Sequence, residues 1–160
     1  MWMNYLRLGS IVMLCGFSSA CNASRSEWVH HGEWVYRNES SRRIEIEGAI
    51  VSFATMETGA FELVAGDGSY RIDFRSEGDK DISPDAIGFP FEYHPDIKCR
   101  ITIDGTIMIP LLPDAGIRER NNYRIEKLGM NYFRFTYTFT DEILSDLVNS
   151  QRRGNTDIRP

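Results

Sequence analysis

The sequence predicts an all-β domain: an antiparallel β-sandwich, immunoglobulin-like or related, with one short C-terminal helix. Apolar residues recur at every second position over much of the chain, as in residues 44–47 (IEIE), and this period indicates half-buried strands. Two Asp-Gly pairs, at residues 67–68 and 104–105, are typical of tight turns between strands. No strand–helix–strand rhythm is present, which favours a sandwich, with an open barrel as the alternative.

The alternating segments, taken in order, define the strands. Residues 44–53 alternate first. Residues 61–63 then lead through the first Asp-Gly pair into residues 70–74, and this pattern predicts a hairpin. A second hairpin is predicted around Asp104-Gly105, with Cys99, Ile101 and Ile103 before the turn and Ile107 and Ile109 after it. The strongest strand comes near the end, where one face carries Phe133, Phe135, Tyr137 and Phe139.

A helix is predicted directly after Thr140. Asp141 and Glu142 suit the positive end of a helix dipole. The apolar residues that would share one helix face and pack on the sheet are Ile143, Leu144, Leu147 and Val148. Residues 152–160 (RRGNTDIRP) have no apolar period and are predicted to form a loose tail. The domain is therefore placed at residues 33–151.

Residues 1–20 are predicted to be an export signal. The apolar run at residues 8–17 is too short to cross ~30 Å of hydrocarbon as a helix, which needs about 20 residues. Small side chains at Ser18 and Ala20 suit a signal-peptidase site directly before Cys21. Ordinary secretion to the periplasm with an unmodified Cys21 is one outcome of such a cut.

The other outcome is a lipid anchor. Ser19, Ala20 and Cys21 resemble the lipobox of bacterial lipoproteins, although Ser18 stands where leucine is usual. This resemblance implies that Cys21 carries lipid, that residues 21–32 hold the lipidated cysteine and a flexible tether, and that the protein is attached to the bacterial outer membrane.

The charge of the chain limits its partners. A net charge of -5 argues against general nucleic-acid binding and gives no attraction to anionic lipids. Attachment to a membrane must therefore come from an apolar element. Cys99 is the one thiol of the predicted domain, and its place on the face of Ile101 and Ile103 predicts a small buried side chain rather than a nucleophile.

Most of the mature chain resembles the small lipoproteins of Bacteroides-type bacteria. The segments that carry the likeness are an aromatic strand (WVYRNESSRRIEIEG), a hairpin-like stretch (LVAGDGSYRIDF), a Pro-Phe segment (FPFEYHPD), a strand with Asp-Gly (IKCRITIDGTIMI) and a closing strand with an acidic helix start (YTFTDEIL). The resemblance implies a small exported β-sandwich of unknown function. It supplies no active site.

Metal sites find little support in the sequence. Oxygen ligands alternate at Asp79, Asp81, Ser83 and Asp85, but Pro84 stands where a calcium-binding EF-hand loop needs glycine. A solvated acidic loop is expected, with a looser calcium site as the alternative. The imidazoles are His30, His31 and His94. Adjacent residues of an extended chain point to opposite faces, so we expect no metal or cofactor at these histidines.

No catalytic motif stands out. The sequence has no G-x-S-x-G elbow and no phosphate-binding P-loop. The aromatic residues that could line a sugar platform are Trp28, Trp34, Tyr93 and Tyr132, although such side chains usually belong to a sandwich core. The sequence therefore favours a non-enzymatic binding or structural module of the cell envelope, with a protein or glycan partner. A small secreted hydrolase with a carboxylate pair is the alternative.

Overall fold

The computed structural model describes residues 28–78, 81–92, 98–112 and 116–156. Within these residues eight strands and one α-helix follow one another along the chain. The strands are β1 (Trp28–Asn38), β2 (Ile44–Ser52), β3 (Glu57–Leu63), β4 (Gly68–Gly78), β5 (Arg100–Ile103), β6 (Ile107–Pro110), β7 (Arg124–Gly129) and β8 (Tyr132–Phe139), and the helix is α1 (Asp141–Thr156). The predicted all-β fold with a C-terminal helix is confirmed.

The strands form two four-stranded sheets, ordered β4-β1-β8-β7 and β3-β2-β5-β6. Every pair is antiparallel except β1–β8, which is parallel in the register Trp34↔Phe135. The first sheet is therefore mixed, and in this one pair it differs from the antiparallel sandwich that the sequence predicts. The difference arises because β8 lies between β1 and β7 and runs in the same direction as β1.

The core lies between the two sheets and is rich in aromatic side chains. The row predicted for β8 faces inward, and Phe135 and Phe139 are fully buried. Trp34 of β1 is also fully buried and stacks on Phe135, with 4.0 Å between ring centroids. Tyr123 packs edge-on against Trp34 at 5.2 Å and extends this cluster beyond the strands. The alternation seen in the sequence thus corresponds to one inward face per strand.

The predicted hairpin around residues 67–68 is wrong. β3 and β4 belong to different sheets, so the chain crosses between layers at this turn. Gly66, rather than Asp67, has the positive φ of 88°. Gly68 lies so close to Val64 that a Cβ at this position would be 2.3 Å from its carbonyl oxygen. An Asp-Gly pair therefore marks a tight turn here without pairing the strands on either side.

The side chain of Asn38 holds the same corner together. Asn38 is fully buried at the end of β1. Its Nδ2 donates to the carbonyl oxygens of Arg42, Leu63 and Val64 at 2.7, 3.2 and 2.9 Å. Its Oδ1 accepts from the backbone N–H of Ser40 at 3.1 Å. One amide thus satisfies the backbone of the β1–β2 connection and of the β3–β4 crossover, where ladder bonds are missing.

The second predicted hairpin is confirmed. β5 and β6 pair antiparallel, and the N–H of Thr106 donates to the carbonyl of Ile103 at 3.1 Å. Asp104 and Gly105 have φ values of 49° and 67°. Positive φ at both central positions is the turn geometry that matches the twist of paired strands.

The predicted ends of the domain need correction. β1 begins at Trp28, so residues 28–32 belong to the first sheet and not to the tether, because β4 continues far enough to pair with them. The α1 backbone continues to Thr156, so residues 152–156 are helical rather than a loose tail. The helix packs as predicted, with Leu144 buried in the core and its apolar neighbours partly buried. Residues 1–27 lie outside the described residues.

Candidate functional site

Two features of the domain bring polar groups together. One is the outward face of the sheet β4-β1-β8-β7. The other is a pocket beside the β5–β6 hairpin. The outward face combines residues of distant strands, and the pocket combines residues between 98 and 118 with Gln151 of α1.

The centre of the outward face is Glu33 on β1. Trp34 points into the core, so its neighbour Glu33 points outward, and the sheet register places Glu33 beside Asp73 of β4 and Arg134 of β8. Although Glu33 lies on an outer face, it is only 5% exposed. It accepts hydrogen bonds from the Tyr132 hydroxyl and from Arg134 Nε, the latter at 2.7 Å.

These contacts keep Glu33 ionised. Burial alone raises its pKa, because it removes water from the charged form, and this is the largest single effect. The hydrogen bonds from Tyr132 and Arg134, together with the charges of Arg134 and Arg71, act in the opposite direction and lower the pKa overall. The same hydrogen bond to Glu33 raises the pKa of Tyr132. Glu33 therefore belongs to an ion-pair network that neutralises its charge, and it does not have the raised pKa of a general acid.

A possible metal group lies at the edge of this network. Ligand atoms of His31, Glu33 and Asp73 lie within 4.8 Å of one another, and this is the one such group among the described residues. His31 stacks on Tyr132 with 4.3 Å between ring centroids. However, Arg71 already lies 3.5 Å from Asp73 and 3.9 Å from Glu33. The Arg71 guanidinium therefore already neutralises both carboxylates, and a metal ion would have to displace it.

The pocket lies where the β5–β6 hairpin meets the segment at residues 116–118 and the C-terminal part of α1. Its volume is about 460 Å³, within the usual size of small-molecule sites. The lining residues are Lys98, Cys99, Arg100, Met108, Pro110, Leu111, Arg118 and Gln151. Gln151 Nε2 donates to the carbonyl of Met108 at 2.9 Å and so links α1 to the hairpin. The described lining contains three cationic side chains and no carboxylate.

Arg118 is the buried charge of this pocket. It ends the short 3-10 helix Gly116–Arg118 and is only 9% exposed. Its Nη1 donates to the carbonyl of Leu111 at 3.1 Å, and its buried Nε has no hydrogen-bond partner. Among the described residues no carboxylate forms an ion pair with it. A buried guanidinium without a counter-charge is unfavourable, so this side chain can gain substantially from an anion.

The other polar lining groups differ from Arg118. Arg100 is paired with Glu47 at 2.8 Å, and Lys98 is exposed at the rim. Cys99 is 7% exposed and donates to the carbonyl of Gly48 at 3.3 Å. Burial raises the pKa of the Cys99 thiol, against the opposing charge of Arg118. The thiol therefore stays neutral near pH 7 and does not balance that charge.

The structure places the candidate residues of the sequence analysis in different environments. Cys99 is buried, as predicted, and Trp34 belongs to the core rather than to a sugar platform. Tyr132 lies on the outward face, against Glu33. Of the acidic loop, Asp81, Ser83 and Asp85 are exposed and belong to no metal-binding group among the described residues. The residues that lie outside the described part are Cys21, Asp79, Tyr93 and His94.

Both central residues, Glu33 and Arg118, were missed in the sequence. The position of Glu33 could have been predicted, because an acidic residue next to Trp34 in a strand must face away from the core. His30 and His31 were expected near the tether, but both belong to β1; His30 is buried near Ser76, 3.4 Å from its hydroxyl. Arg118 had no signal, because its burial depends on a hairpin, a loop and a helix meeting in space.

Comparison with known proteins finds no match: no family model fits the chain, and no curated protein or solved structure is significantly similar to it. In the part of the chain that the structure describes, α1 included, no helix is both long and apolar enough to span a bilayer. Evidence on the function therefore comes from the geometry of the two features.

Proposed function

We propose that this protein is an exported bacterial lipoprotein, anchored through Cys21 to the outer membrane, whose β-sandwich is a non-enzymatic binding module of the cell envelope. The observation that carries the binding role is the pocket at the β5–β6 hairpin, a ligand-sized cavity with the buried Arg118, which forms no ion pair with a described carboxylate. The resemblance to small Bacteroides-type lipoproteins supports the same proposal.

The anchor would hold the domain close to the bilayer. Residues 22–27 link Cys21 to the first residue of β1. A fully extended chain spans at most about 3.3–3.6 Å per residue, so this link can reach roughly 25 Å. The pocket would then meet ligands or partners near the membrane surface. Secretion to the periplasm without lipid is the alternative location.

The carboxylates give the hydrolase alternative less support. A hydrolase with a carboxylate pair needs one acid whose pKa is raised and which stays protonated. Glu33 and Asp73 are neighbours across two strands, but both contact Arg71, and the pKa of Glu33 is lowered. The pair also lies on an open sheet face rather than in the pocket.

The anchor is tested by fractionation of cells that express the wild-type chain or Cys21→Ser. Two or more acyl chains hold a protein stably on a bilayer, whereas one binds only marginally. We expect the wild type in the outer-membrane fraction and the variant in the soluble fraction. An unmodified Cys21 in the mass spectrum of the mature protein would contradict the lipoprotein proposal.

An activity assay on the purified protein distinguishes the binding role from the hydrolase alternative. A panel of chromogenic glycosides and esters should give no turnover above that of Glu33→Gln, which removes one carboxylate of the Glu33–Asp73 pair. The hydrolase would be favoured if the wild type turns over a substrate and Glu33→Gln does not, while circular dichroism shows that the variant is folded.

A further inference from the structure

The pocket has two chemically different parts. Its apolar surface comes from Met108, Pro110 and Leu111 along and just beyond β6. Its charged part comes from Arg118, with Lys98 at the rim. A ligand that fills the cavity must therefore match an apolar wall and a positive charge together.

Among the described residues, no carboxylate balances the charge of Arg118 in the pocket. Glu47 neutralises Arg100, and no described carboxylate reaches Arg118. The buried Nε atoms of Arg100 and Arg118 both have no hydrogen-bond partner. The planar guanidinium donates two parallel hydrogen bonds to a carboxylate or phosphate, and these bonds are stronger in a site of low polarity. An anionic group is the chemistry that this arrangement recognises best.

We propose that the pocket binds a small organic anion, with its carboxylate or phosphate head on Arg118 and its apolar part against Met108, Pro110 and Leu111. The cavity of about 460 Å³ limits the ligand to a small molecule. The inference rests on the proposed binding role and names its ligand class. A neutral apolar molecule would leave the guanidinium unpaired, and an amine would meet like charge.

The test uses four probes with the same six-carbon chain: hexanoate, hexyl phosphate, 1-hexanol and hexylamine. Calorimetric titration of the mature, lipid-anchored protein in phospholipid nanodiscs gives their affinities. We expect hexanoate or hexyl phosphate to bind at least tenfold more tightly than 1-hexanol, and hexylamine not to bind. The methyl resonance of Met108 should shift on binding, which places the probe in the pocket.

Variants of Arg118 test whether its charge is responsible for the binding of the anionic probes. Arg118→Met should lower the affinity for the anionic probe at least tenfold, and Arg118→Lys should restore part of that affinity. Arg43→Met is the matched control, because Arg43 is exposed and pairs with Glu62 away from the pocket. If Arg118→Met does not fold, the four-probe series on the wild type still decides the proposal.

The inference would be overturned if neither hexanoate nor hexyl phosphate binds more tightly than 1-hexanol, or if Arg118→Met leaves anion binding unchanged. Binding of no probe would also overturn it. None of these results affects the fractionation of Cys21→Ser, so the failure of the ligand class and the failure of the anchored-lipoprotein proposal can be told apart.

Discussion

Replacement of Phe135 by alanine should remove a large part of the stability of the domain. Phe135 is fully buried at the centre of β8 and stacks on Trp34 with an angle of 15° between the rings. Burial of a large apolar side chain contributes about 1.5–3 kcal/mol, and a stacked aromatic pair adds about 0.5–1.5 kcal/mol. With the cavity that remains, we expect a loss of about 3–5 kcal/mol.

The assay is urea denaturation of the full-length wild type and Phe135→Ala, followed by tryptophan fluorescence. A domain of this size is stabilised by only ~5–15 kcal/mol, so the midpoint should fall clearly. Thr136→Ala is the control, since the Thr136 side chain points to the opposite face, and it should change stability by about 0.5 kcal/mol or less. A loss below about 1 kcal/mol in Phe135→Ala would refute the packing described for the core.

Three further predictions concern buried polar groups. Asn38→Ala should lower stability by about 2–4 kcal/mol, because three carbonyls lose the hydrogen bond from its Nδ2 and a cavity is left at a fully buried position; a change within about 0.5 kcal/mol would contradict it. Cys99 should react slowly with a thiol reagent in the native protein and quickly in urea, because burial hinders access and raises the pKa of its thiol; rapid native labelling would show exposure. Glu33 has a folded-state pKa below its ordinary 4.5, so its ion pairs stabilise the domain above that pH and lose this contribution as the pH falls through the folded-state pKa. The acid-induced loss of stability should therefore be smaller in Glu33→Gln than in the wild type, and identical pH profiles from denaturation at a series of pH values would contradict this role.

Local patterns in the sequence were reliable guides to the structure. The aromatic row of β8 and the turn at Asp104-Gly105 were predictable, because side-chain period and positive φ are properties of a few neighbouring residues. Residues 67–68 show the limit of such patterns. Their turn is real, but the choice between pairing β3 with β4 and sending them to different sheets depends on contacts with distant strands.

The candidate site was harder to predict than the fold. The pocket combines three short stretches between residues 98 and 118, at Cys99, Leu111 and Arg118, with Gln151 of α1 on one side. These positions share no recognisable motif, and their contact depends on how the hairpin, the 3-10 helix and α1 pack together. The sequence therefore predicted the burial of Cys99 but neither the cavity beside it nor the burial of Arg118.

The parallel pairing of β1 with β8 has a consequence for how the protein reaches its final form. Trp34 and Phe135 are neighbours across this pair, although the chain between them includes the whole second sheet. Closing so long a loop lowers the entropy of the chain before the stabilising contacts of the β1–β8 pair form. The pairing should therefore be slow. Until β8 has been synthesised, one edge of β1 has no partner, and the apolar side chains around Trp34 stay exposed to aggregation. A purified chain truncated before Tyr132 should therefore be sensitive to protease throughout β1, whereas a chain that includes the last strand should be protected there.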